Sequence, residues 1–210
     1  MQRDFAYVVV CTILSTQMSS PAGGGDAAYK GKADLLFEFL QSHEEGTVFY
    51  TIKRTYDSNL LPTQGKTETC VKATRISATA NAAQLCTIFK TLGGTATDPF
   101  VVTYKKTGPE TMVVEPGKYH MTVLYVDEEE KCLIVQHTGK TPVDEAMRSC
   151  DMVRASIDPT GRKCNDQFTR LCGSRTFAIS TTDGCKEVPI PTCTEGSQPN
   201  TNAVLKSRFN

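Results

Sequence analysis

The sequence predicts an all-β fold, eight antiparallel strands held by disulfides, and three observations carry that prediction. Short β-rich runs recur with Gly, Pro and acidic turn residues between them, and no helix-length segment separates them. Five of the nine cysteines fall between Lys131 and Cys185, around the alternating run KCLIVQH and the segments SCDMVRA, GRKCNDQFTRLCG and DGC. At 210 residues and 39% apolar composition, the chain is long enough for one domain with a core of its own. Eight strands at such spacing close into an up-and-down barrel or stack as a sandwich.

Residues 1–22 carry the marks of an export leader. Arg3 lies near the start, an apolar run extends from Phe5 to Leu14, and small and polar residues follow as far as Ala22. The run is about half the ~20 residues a membrane-crossing helix needs. Cleavage is expected near Ala22, giving a secreted, extracellular chain with a folded domain over 23–187 and a flexible tail over 188–210.

Lys32 to Glu45 is expected to form a short helix, because Leu35, Leu36, Phe39 and Leu40 recur at helical spacing and Gly46 stops the pattern. The first strand spans 47–56. Of its two alternating sets, Val48, Tyr50, Ile52, Arg54 and Tyr56 is the more apolar, and Arg54 stands out in it. Further strands are expected at 68–78, 84–92, 99–106, 111–115, 118–126, 131–138 and 147–156. The turns between them are marked by Gly93-Gly94, Gly108-Pro109, Pro116-Gly117, the acidic run 127–130 and Gly139. The acidic run reads as a solvated hairpin tip. A helix over Pro159–Cys172 should turn Phe168 and Leu171 inward, and TFAIS (176–180) can add an edge strand. Residues from Val188 onward are rich in Pro, Thr, Ser, Asn and Gly.

Loss of Cys11 with the leader leaves Cys70, Cys86, Cys132, Cys150, Cys164, Cys172, Cys185 and Cys193. An even number in an exported chain reads as four disulfides, with 105 connectivities open. No C-x-x-C pair occurs, which removes the usual zinc-site and dithiol-redox readings. Lys and Arg (23) balance Asp and Glu (23), so overall charge gives no reason to expect nucleic acid or an anionic membrane as partner. No G-x-S-x-G, H-E-x-x-H or phosphate-cradling glycine loop is present. His43 falls in the leading helix and His120 on an outward parity. Neither an enzyme nor a cofactor is expected.

The order of a helix, VFYTIKRTY, a cysteine in the second strand, YVDEEEKC, SCDMVRA, KCNDQF, CG and a closing GC resembles the tick salivary lipocalins of the histamine-binding family, over about residues 30–185. That resemblance implies an eight-stranded lipocalin-type barrel with an N-terminal and a C-terminal helix. It pairs Cys70 with Cys185 and Cys132 with Cys164, and Cys150–Cys172 and Cys86–Cys193 then complete the set. It also implies a ligand set facing the lumen: Tyr50, Arg54 and Tyr56 on the first strand, Tyr119, Met121 and Tyr125 on the sixth, Leu133 and His137 on the seventh, and Asp151 on the eighth. Ile52, Val123, Val135 and Val153 share those inward parities.

The implied activity is stoichiometric capture of a small inflammatory mediator of the host by a monomer, without catalysis. The ligand would be histamine or another biogenic amine, or else an eicosanoid such as a leukotriene. This chain departs from the amine-binding members by carrying Leu133 and Met121 where they have acids, and it has no tryptophan. With Arg54 as a fork for a carboxylate, that departure slightly favours the eicosanoid. The alternative reading is a lipocalin whose loops inhibit a host complement, clotting or immune protein while its barrel is filled by its own side chains.

Overall fold

A computed structural model describes residues 31–56, 67–116, 119–138, 149–157 and 161–193. The expected leader and residues 194–210 lie outside the described residues.

The chain runs α1 (Lys32–Ser42), β1 (Val48–Arg54), β2 (Glu68–Ala78), β3 (Ala82–Thr91), β4 (Phe100–Lys106), β5 (Thr111–Glu115), β6 (Tyr119–Asp127), β7 (Cys132–Thr138), β8 (Ser149–Arg154), α2 (Arg162–Cys172), β9 (Phe177–Ala178) and α3 (Thr182–Cys185). Strands β2 through β8 pair with their sequence neighbours, all antiparallel. β1 pairs with β8 on one side and β2 on the other, which closes an eight-stranded barrel. Closure removes the sheet edges that an open sandwich would expose.

The β1–β2 seam is short: Val48, Phe49 and Tyr50 face Thr74, Ala73 and Lys72 in register. Beyond it the two strands diverge, and the segment around β9 fills the gap. Phe177 and Ala178 pair with Arg54 and Lys53, the Ile179 and Ser180 amides donate to the Ile52 and Thr51 carbonyls, and the Ser180 hydroxyl bonds both the amide and the carbonyl of Val71. The expected edge strand is thus two residues long and acts as a wedge in the barrel wall. The one-turn α3 then brings Cys185 to Cys70.

β7 is buried at Cys132, Leu133, Ile134 and Val135 in succession rather than at alternate positions. One face of it meets the lumen; the other packs beneath α2. There Ile52, Ile134, Met152 and Phe168 form a second apolar cluster outside the wall, in which Leu171 is partly buried. The disulfides Cys132–Cys164 and Cys150–Cys172 tie both ends of α2 to β7 and β8.

The N-cap of α2 is Gly161, which has no side chain to accept from the first-turn amides. Glu130, from the β6–β7 turn, supplies the acceptor: its carboxylate takes the Lys163 and Cys164 amides at 2.9 Å each and the Arg154 guanidinium at 3.1 Å. A carboxylate at a helix N-terminus is favoured by both hydrogen bonding and the helix dipole. The acidic run 127–130 is therefore not only a solvated hairpin tip. Asp127 also works there, accepting from the Tyr125 hydroxyl and the Glu130 amide.

The other two disulfides are Cys70–Cys185 and Cys86–Cys193. Val188 is 3% exposed, the Lys72 ammonium donates to its carbonyl, and Thr74 donates to the Pro191 carbonyl. Residues 188–193 therefore lie against β2 and β3, and the boundary at 188 drawn from composition falls inside a packed segment. Proline and threonine content marked these residues as a tail, but Cys193 anchors them.

Candidate functional site

The lumen of the barrel holds a cavity of about 110 Å³. α1 lays Leu36 and Leu40 over one end, where Phe49, Leu85 and Val102 give an apolar lining. The other end is polar. Arg54 lies five residues along β1 from Phe49, roughly 15 Å at the rise of an extended strand.

Arg54 reaches the lumen through a β-bulge. The register of β1 against β8 shifts between Thr51 and Lys53, so Ile52 is the extra residue. Before the bulge Phe49 and Thr51 face in; after it Arg54 and Tyr56 do. Strict alternation placed Tyr50 and Ile52 inward with Arg54, and the structure corrects that. Ile52 is buried in the cluster beneath α2, and Tyr50 packs on the outer side, with the Lys72 ammonium over its ring.

A second shift, between Val123 and Tyr125 on β6, has the same effect. Tyr119 and Met121 line the cavity and Val123 is buried in the inner core. Tyr125 is turned outward, where it packs near α2 and bonds Asp127. Of the expected ligand set, Arg54, Tyr56, Tyr119, Met121, Leu133, His137 and Asp151 border the cavity; Tyr50 and Tyr125 do not.

Of the lining residues absent from the expectation, two are titratable, Glu68 and Tyr104. Glu68 opens β2 and is 3% exposed. Its Oε2 accepts from Arg54 Nη1 at 2.7 Å, and Asp151 Oδ1 lies 3.3 Å from Arg54 Nε. His137 Nε2 is 3.2 Å from Asp151 Oδ2, and its ring meets Tyr56 and Tyr119 edge-on. The guanidinium also lies over the Tyr56 ring, 4.8 Å from its centre.

The electrostatics follow from burial and neighbours. For Arg54, burial favours neutrality but Asp151, Tyr56 and Glu68 more than offset it, so the guanidinium stays charged. Burial raises the Asp151 pKa, yet Arg54, His137 and the Tyr56 hydroxyl outweigh it and hold the carboxyl below the usual range. At Glu68 burial dominates, reinforced by Asp151, and its pKa is raised despite Arg54. Burial pushes the phenols of Tyr56, Tyr104 and Tyr119 upward, so all three remain neutral donors near pH 7.

With both carboxylates ionised, the fixed charges of this cluster are one guanidinium against two acids. The Tyr56 hydroxyl, both His137 ring nitrogens and Asp151 Oδ1 are buried and make no well-directed hydrogen bond, although Tyr56 and His137 lie close enough to Asp151 to stabilise its charge. Arg54 is not the free carboxylate fork expected from the sequence, because Glu68 and Asp151 both engage it. The cavity is also small. It lies below an engineered cavity of about 150 Å³ that takes benzene.

Among the described residues no helix is long and apolar enough to cross a membrane. The sequence matches no family profile and no curated protein. The fold is similar to lobster apocrustacyanin A1, with a TM-score of 0.50 and 13% identity over 75% of this chain and 89% of that one. Apocrustacyanin C1 gives a TM-score of 0.49 at 12% identity, covering 71% and 85%. The siderocalin Ex-FABP gives 0.47 at 12% identity, covering 64% and 89%. The closed eight-stranded antiparallel barrel and the likeness to apocrustacyanin A1 give the lipocalin-type barrel as the fold class.

Proposed function

We propose that this chain is a secreted carrier that captures one small monocyclic amine, such as histamine, in its barrel, and so withdraws an inflammatory mediator of a host. The resemblance to the tick salivary histamine-binding family supports the mediator class. The observation that carries the reading is the make-up of the buried cluster, two acids around one guanidinium at the polar end of a small cavity. An ammonium about 4 Å from Asp151 gains roughly 4 kcal/mol at an effective dielectric near 20, and a carboxylate there loses as much. That term opposes the desolvation cost of a buried cation. Tyr56 and His137 offer the remaining hydrogen bonds.

Leu133 and Met121 remove acids that the amine-binding relatives carry, but Glu68 restores one from the opposite wall. The reading as an inhibitor of a host protein calls for an interior filled by side chains; a cavity reaching Arg54 stands against it. Four disulfides support an oxidising, extracellular compartment. Calorimetry of the oxidised protein with histamine, serotonin and a leukotriene in parallel tests the proposal. One-to-one binding of an amine is expected, and binding of the leukotriene alone would overturn it.

A further inference from the structure

Resting on that reading, we propose that Glu68 sets the sign of the charge this cavity accepts: by offsetting the charge of Arg54 it leaves the Asp151 charge to favour a cationic guest. The geometry makes the division of labour specific. Glu68 takes the end of the guanidinium through Nη1 at 2.7 Å, whereas Asp151 meets only Nε at 3.3 Å. Asp151 also carries a second oxygen turned to His137, and its Oδ1 makes no well-directed hydrogen bond. Glu68 is buried at the start of β2, behind Arg54 from the standpoint of Asp151. It acts through Arg54 and is a positioning residue.

Three states of the cluster follow. With both acids present, a cation is favoured. With Glu68 neutralised, Arg54 and Asp151 cancel and no charge is left over. With both acids neutralised, Arg54 becomes a bare fork for a carboxylate, since Tyr56, Tyr104 and Tyr119 are neutral. The same lumen would then select for opposite signs with almost no change in shape, because Glu→Gln and Asp→Asn preserve volume.

The titratable and charged groups that face Glu68 are Arg54 and Tyr56 from β1 and its end, Asp151 from β8, His137 from β7, Tyr119 from β6 and Tyr104 from β4. Its own pKa is raised by burial, so a bound cation should drive a proton off it.

The test uses two single-ring probes of opposite sign, phenethylamine and phenylacetate, titrated calorimetrically into the oxidised protein at about pH 7, where both are ionised. Wild type should bind phenethylamine and exclude phenylacetate. Glu68→Gln should weaken the amine on the order of 100-fold, while Glu68→Asp, which keeps the charge, should retain most of the affinity. Glu68→Gln combined with Asp151→Asn should bind phenylacetate in place of the amine. Amine affinity left unchanged in a folded Glu68→Gln protein, or lost equally in Glu68→Asp, overturns the inference while the amine reading stands. No amine binding by wild type overturns both.

A wild-type measurement covers the case in which Glu68→Gln does not fold. Phenethylamine binding is repeated between about pH 4 and 7 in buffers of different ionisation heat, the ammonium staying charged throughout as a lysine does. Net proton release on binding supports the inference, and its absence across the range contradicts it.

Discussion

Replacing Arg54 by alanine would leave Glu68 and Asp151 facing each other in the wall of the lumen without a cation. The three side chains are 7%, 2% and 10% exposed respectively, so water does little to relieve the charge. Breaking a buried ion pair by removing one partner costs about 3–5 kcal/mol. For a domain of this length each kcal/mol lowers Tm by roughly 2–4 °C, so the melt should fall on the order of 10 °C. The penalty is electrostatic, and it should shrink toward about pH 4 as Glu68, whose pKa is raised, takes up a proton.

Adding Glu68→Gln and Asp151→Asn to the Arg54→Ala protein should restore much of the loss by removing the stranded charges, although the gap left by the guanidinium remains. Thermal and urea melts at both pH values read these effects. A loss below about 1 kcal/mol, or one that is equal at both pH values, would refute the idea that the three groups form one charge-compensated unit.

The remaining predictions concern the frame and its response to pH. Opening Cys70–Cys185 with a Cys70→Ser, Cys185→Ser double variant should cost about 2–5 kcal/mol, since the bridge spans 115 residues of sequence; a urea midpoint shift reads it. Glu130→Ala should speed amide exchange at Lys163 and Cys164 in the first turn of α2 while the β1–β8 amides keep their protection, as measured by hydrogen exchange. Asp151, with its pKa held below the ordinary value, contributes stability that is present above the unfolded pKa and lost as pH falls through the folded one. Asp151→Asn should therefore flatten the acid limb of the stability profile. Glu68 acts with the opposite sign, favouring the folded state once it is protonated, so the Asn variant isolates the Asp151 contribution.

What was legible in the sequence was the part governed by regular spacing. Runs such as TMVVE and KCLIVQH, with turn residues between them, located the strands, and Leu36, Phe39 and Leu40 located α1. Closure of the barrel and the disulfide partners came with the family resemblance, because spacing alone left sandwich and barrel open.

The site was legible only where alternation was unbroken. Ile52 and Leu124 are each one residue too many for a two-residue period. Tyr50 therefore cannot share a face with Arg54, nor Tyr125 with Tyr119. Each bulge leaves the composition of its strand unchanged, so no local signal marks it. Glu68 was missed for another reason: at the head of ETCVKA it looks like a solvated strand-start acid. Only the three-dimensional meeting of β1, β2 and β8 reveals its partner.

The measurement that bears most directly on the account is a crystal structure of the oxidised protein grown with phenethylamine. The account predicts one guest in the lumen, its ammonium within about 4 Å of the Asp151 carboxylate, its ring toward Leu36, Leu40 and Phe49, and the Arg54–Glu68 pair intact. A guest bound outside the barrel, or seated with its ring among Arg54, Glu68 and Asp151, would contradict it.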